Sequence, residues 1–222
     1  MKRYRWLRAR WPISMRVLAK RLRARAFDGA QVEGFVLDRV RDDFVDARFV
    51  EKVEYDETVR DPFGVESSFH RVEYRKCEFK AMLDGPGLEL VDAPRTVQTM
   101  VSRLAEATDF ALAISPLSVD VLAWATAVQH RLNVAGVVDS LQVGAVELSQ
   151  GVQAKAIVKG GGDVMAATQA LVHGKQHVIE KVQIRFSGSK RMTLLLTKSG
   201  VARFDQDPSE ELLAVVRSSL PL

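Results

Sequence analysis

Two carboxylates and a lysine have the clearest claim to a reaction. Glu78-Phe79-Lys80 lies in a charged run, with Asp56 and Asp61 upstream. An Asp…Glu-x-Lys set lets a metal-dependent nuclease hold Mg²⁺ on two carboxylates while the lysine helps activate water. The tripeptide is common, however, and cross-strand ion pairing explains it more simply on a segment so rich in charge. Gly160-Gly161-Gly162 sits between an apolar run and a helical one, the setting of a phosphate loop. It lacks the Gly-Lys-Ser/Thr ending, and Asp163 puts a carboxylate where a phosphate would sit, so it reads as a turn with Asp163 capping the helix. His70 and His130 are isolated, and Gly174 interrupts the helix between His173 and His177, which argues against a shared metal. Cys77 reads as a core or surface thiol rather than a nucleophile, and neither a Gly-x-Ser-x-Gly elbow nor a dinucleotide fingerprint occurs. No catalytic residue, metal or cofactor is therefore assigned, and the nuclease stays as the alternative reading.

Charge distribution is a stronger signal than any of these. Residues 1–26 hold ten cations and no acid, in a chain whose formal net charge is +4, so the rest is net acidic. Such asymmetry points to a polyanionic partner. Trp6 and Trp11 are interleaved with Arg3, Arg5, Arg8 and Arg10, the mixture with which single-stranded nucleic acid is stacked and its phosphates held. Arg16, Lys20 and Arg23 follow on a helix, and Lys175, Lys181, Arg185, Lys190 and Arg191 form a second basic group near the C-terminus. These fourteen residues are the candidate nucleic-acid contacts. The competing reading is a docked terminal helix whose cations are solvated or paired with acids.

The elements that must position these residues are legible in outline. Ser14 can cap a helix to Ala26 with Met15, Leu18, Ala19, Leu22 and Ala26 as its apolar stripe. Residues 32–40 alternate loosely, and runs at 44–57 and 65–82 flank Asp61-Pro62-Phe63-Gly64, which predicts a long antiparallel hairpin. A short strand at 88–91, a helix opened by Pro94 and running to Ala107, a strand at 110–114 and a helix to Leu132 follow. Beyond these we expect strands near 141–148 and 152–159, a helix at 163–173, strands at 176–186 and 190–197, and a helix over 209–218. Hairpins dominate, so the expected class is α+β: antiparallel β-hairpins with packed helices, in two related β-hairpin-plus-helix units. The expected division is a basic N-terminal arm and helix (1–30), a unit with the long hairpin (31–135) and a second α+β unit (136–222).

From Leu141 to Phe204 the sequence runs LQVGAVELSQGVQAKAIVKGGGDV, then LVHGKQHVIEKVQIRF, then RMTLLLTKSGVARF. With Gly144…Glu147-Leu148, Gly174-Lys175 and Arg191…Leu196-Thr197, this stretch resembles the C-terminal part of the recombination-associated RdgC family. The resemblance implies a non-enzymatic, non-sequence-specific DNA-binding protein, a dimer, that modulates recombination or protects against foreign DNA. The expected partners are DNA, single- or double-stranded, a second copy of the chain, or a protein in a larger complex; the last would make it an interaction subunit. No uncharged apolar run reaches the ~18 residues of a membrane span, and the N-terminus lacks a secretory apolar region. The expected location is thus the cytoplasm, on the nucleoid if DNA is bound.

Overall fold

The computed structural model describes residues 1–187 and 191–222. The chain begins with β1 (Lys2–Arg10), α1 (Met15–Arg23), β2 (Glu33–Val40), β3 (Phe44–Arg60), β4 (Glu66–Met82), β5 (Gly87–Val91), α2 (Gln98–Ala107) and β6 (Ala113–Pro116). It continues through α3 (Val121–Leu132), β7 (Gly136–Ser149), β8 (Val152–Lys159), α4 (Met165–Val172), β9 (Val178–Phe186), β10 (Met192–Thr197), β11 (Val201–Phe204) and α5 (Glu210–Ser218). The class is α+β, built on antiparallel pairing. Two compact units interleave along the chain: one comprises Met1–Ala9, Gly85–Glu89 and Ile114–Leu222, the other Arg10–Asp84 and Leu90–Ala113. This grouping differs from a linear division at 30 and 135, because the first nine residues join the C-terminal half. The two halves also route the strand after their helix differently: β9 returns to pair with β7, whereas β6 pairs with β1.

In the unit containing both termini, the sheet order is β5-β1-β11-β10-β9-β7-β8. The residues at 2–10, expected as a basic arm, form an internal strand instead. Alternation in β1 sends Tyr4 and Trp6 to one face, where they meet Ala202, Phe204, Leu194, Leu196, Val182 and Ile184, all buried. Trp6 is 0% exposed, stacks edge-on to Trp124 of α3 at 5.7 Å, and donates Nε1–H to Glu89 at 2.7 Å. Trp124 in turn donates to the Val216 carbonyl of α5 at 2.9 Å, so both helices close this face. Gly87 (φ +89°) is needed where β5 meets β1, since a Cβ there would stand 2.1 Å from the Ala9 oxygen.

In the other unit, Ser14 caps α1, and Met15, Leu18, Ala19 and Leu22 are buried as expected, while Ala26 is exposed. Phe35, Phe49 and Phe79 interlock at 5.1 and 6.0 Å between centroids, beside buried Cys77. The predicted hairpin forms as β3–β4, paired from Phe44↔Met82 to Arg60↔Glu66. Its turn is held by Asp61, whose Oδ1 accepts from Phe63 N and Val65 N at 2.8 Å each. Pro94 does not open α2: the helix starts at Gln98, after Val97, without a side-chain cap. The strand expected at 110–114 is displaced to β6, with Phe110 75% exposed at φ +60°.

Candidate nucleic-acid interface

The face of the β1–β8 sheet opposite Trp6 can be read row by row from the registers. One row is Arg3, Arg203, Leu195, Gln183, Ser140, Lys159. The next is Arg5, Val201, Thr197, Lys181, Gln142, Ile157. Except for Gln142, these residues are exposed or half-buried. Adjacent strands lie about 4.8 Å apart, so Arg3 and Arg203 are immediate neighbours. Arg5 and Arg203 have no carboxylate within ion-pair distance among the described residues.

Toward β8, Lys155 and Arg185 are paired with acids, while Lys159 is exposed. Glu180 accepts from Lys155 Nζ at 2.6 Å, and Asp139 lies 3.8 Å from Arg185 Nη1 and accepts from Gln183 at 2.9 Å. The Lys155 and Gln142 hydrogen bonds hold the Glu180 carboxyl below its ordinary range. Arg185 also donates to the Gly161 carbonyl at 2.6 Å. Arg5 on β1, Arg203 on β11 and Lys181 on β9 have no such ion-pair partner among the described residues. Beside β9 to β11, Lys181, Lys198 and Arg203 line an open depression of about 490 Å³ together with the hydroxyls of Ser118, Thr197 and Ser199 and the Glu180 carboxylate. Cations and hydroxyls of this kind are phosphate ligands.

The fourteen sequence candidates are sorted by this geometry. Arg3, Arg5, Lys181 and Arg185 come together on one sheet face. Trp6 does not: its ring is sealed in the core, which corrects its assignment as a stacking surface for bases. Arg8 is exposed at the end of β1, and Lys175 and Arg191 are exposed at element ends. Lys190 lies outside the described residues. Arg10, Trp11, Arg16, Lys20 and Arg23 belong to the other unit. There Arg16 Nη2 donates to Asp42 at 3.1 Å and the neighbouring Arg21 to Asp109 at 2.6 Å, while Lys20 and Arg23 are exposed and Trp11 is half-buried. Arg203 and Lys198 were missed because only the strand registers place them beside Arg3 and Lys181; β11 itself is a four-residue strand next to a turn.

The nuclease set is dispersed. Asp61 is committed to its turn, and Asp56 faces His70 at 3.1 Å. Glu78 is opposite Arg48, and Lys80 lies 3.6 Å from Asp46 and over the Phe44 ring. Eight residues separate Arg48 from Asp56 on β3, about 27 Å at the usual strand rise, so the two carboxylates cannot share an ion. No three metal-ligating side chains cluster among the described residues. At the triple glycine, Asp163 Oδ1 accepts from Met165 N at 2.7 Å in a local turn, but the N-cap of α4 is Val164 and no side chain caps the helix, so the expected capping role of Asp163 is not met. No helix among the described residues is long and apolar enough to cross a membrane. Comparison with protein-family models finds no match, and comparison with curated proteins finds none either.

Proposed function

We propose that this chain is a non-enzymatic, sequence-independent DNA-binding protein that lays the sugar–phosphate backbone across the open face of β1, β11, β10 and β9. The observation carrying this reading is that Arg5 of β1 and Arg203 of β11 lie on one open sheet face with no carboxylate within ion-pair distance among the described residues. Arginine grips phosphate oxygens bidentately with its planar fork. The two rows of this face hold no aromatic ring, which favours phosphate contacts over base stacking and hence duplex over single strand. Contacts to phosphate alone carry no base information, so affinity should not depend on sequence.

The test is a salt series of binding isotherms on two unrelated duplexes. Exchanging Arg5 and Arg203 together for alanine removes two phosphate contacts, which should flatten the slope of log affinity against log salt by about 2. Both duplexes should weaken equally. Arg16→Ala with Arg21→Ala, which removes cations already paired with acids, should leave the slope unchanged. Absence of duplex binding by the intact protein in low salt, or an unchanged slope in the Arg5/Arg203 variant, would overturn the reading.

A further inference from the structure

The basic depression beside β9 to β11 does not end at its cations. A second open depression, of about 390 Å³, shares Ser118 and Lys198 with it, so the two run together as one groove within a single unit. The ends differ in chemistry. Lys181, Arg203 and the hydroxyls of Thr197 and Ser199 line the first, whereas Leu122, Val178, Ile179 and His177 line the second. Leu122, Val178 and Ile179 are half-buried, and His177 is exposed. An apolar concavity of about 300–1,000 Å³ with a few convergent polar groups is the usual form of a small-molecule site.

Backbone bonds hold this groove in shape. Val119 N–H donates to the Lys198 carbonyl at 2.9 Å, and Lys198 N–H donates to the Glu180 carbonyl at 2.8 Å. Gly200 (φ +68°) lets the β10–β11 turn close on Leu117, since a Cβ there would stand only 3.0 Å from that side chain. Leu117 and Val119 are buried, which leaves Ser118 exposed where the two depressions join. Two acids line the groove, and both are engaged. Glu180 accepts from Lys155 at 2.6 Å, and Asp120 accepts from the Leu122 and Ala123 N–H groups of α3. Lys198 and Arg203 have no ion-pair partner among the described residues, so the first end stays cationic. At the second end, His177 Nδ1 lies 2.9 Å from the Lys175 carbonyl. A carbonyl only accepts, so Nδ1 carries the proton and Nε2 is left as an acceptor. An imidazole ring stacks on a nucleobase, and its free nitrogen accepts from a base N–H. Phosphate chemistry at one end and base chemistry at the other meet in one molecule, a nucleotide.

We propose that this groove takes a single nucleoside monophosphate, with its phosphate on Lys181, Lys198 and Arg203 and its base against His177, Leu122 and Ile179. The nucleotide is either free or the 5′-phosphorylated end of a DNA strand. This deepens the DNA-binding reading, on which the strand-end source rests. Calorimetric titration of the full chain with dAMP and with inorganic phosphate is the test. One dAMP should bind about tenfold more tightly than phosphate, the scale of one stacked base. His177→Ala should bring dAMP down to the level of phosphate and leave phosphate itself unchanged. Lys198→Ala should weaken both about tenfold, and Lys20→Ala, in the other unit, should change neither. A duplex with a 5′-phosphorylated adenine overhang, set against the same duplex blunt and unphosphorylated, separates the sources. Tighter binding of the overhang assigns the groove to strand ends, and equal binding assigns it to free nucleotide. Failure to bind dAMP overturns the proposal, and duplex binding by the same protein would leave the DNA-binding reading standing. Binding of dAMP that His177→Ala and Lys198→Ala both leave unchanged overturns it as well. Binding of dAMP without duplex binding overturns the DNA-binding reading instead and assigns the groove to free nucleotide.

Discussion

Glu89, 3% exposed, accepts from Trp6 Nε1 at 2.7 Å and from Arg217 Nε at 2.6 Å. One carboxylate thus ties β1, β5 and α5 together, and it satisfies an indole and a guanidinium that burial would otherwise leave costly. Glu89→Ala removes both acceptors at once and should cost about 3 kcal/mol, read by urea denaturation. A loss near zero would mean that water replaces the carboxylate. At Glu180 the folded-state pKa is lowered, first by Lys155 and then by Gln142. Its contribution to stability is therefore present above the ordinary carboxylate range and fades as pH falls through the folded value. Carboxyl-detected NMR titration should place Glu180 below a typical glutamate, and Lys155→Met should move it upward.

Among the elements, α3 joins a strong local signal to a tertiary role. Asp120 Oδ1 accepts from Leu122 N at 2.9 Å and Ala123 N at 3.0 Å, and the helix ends at left-handed Asn133. The same helix carries Trp124 onto Trp6. Asp120→Ala should cost about 1–2 kcal/mol, measurable as a lower denaturation midpoint with unchanged slope. The approach of β5 to β1 is less forgiving, because Gly87→Ala drives a Cβ into the Ala9 backbone from a left-handed conformation. That exchange should destabilise by well over the ~1 kcal/mol typical of a point substitution, visible as loss of soluble protein or a large drop in midpoint.

For the whole molecule, the decisive fact is that β1 lies inside a sheet, between β5 and β11. Deleting residues 1–26 removes a doubly paired strand together with Trp6, so the truncated chain should lose its cooperative unfolding transition, measured by circular dichroism. A detachable basic arm would leave that transition intact. The same placement makes charge-removing exchanges at Arg5 and Arg203, which keep the strand, the informative test of binding.

Local signals were enough for the long hairpin: Asp61-Pro62-Phe63-Gly64 specifies its turn through short-range hydrogen bonds, and alternation of Ala47, Phe49, Cys77 and Phe79 specifies its buried face. Ser14 and the apolar stripe of α1 were legible for the same reason, since caps and helical periodicity act within a turn or two. Helix starts without a side-chain cap, as at Gln98, were not. What sequence could not decide was the side of the strand on which each arginine ends up. Tyr4-x-Trp6 between Arg3 and Arg5 is an alternation of period two, but density of charge hides it, and the same aromatics fit a stacking arm or a core strand equally well. Only pairing with β11, some two hundred residues away in sequence, resolves the choice, because burying Trp6 against Trp124 and Glu89 obliges its neighbours Arg3 and Arg5 to face the other way.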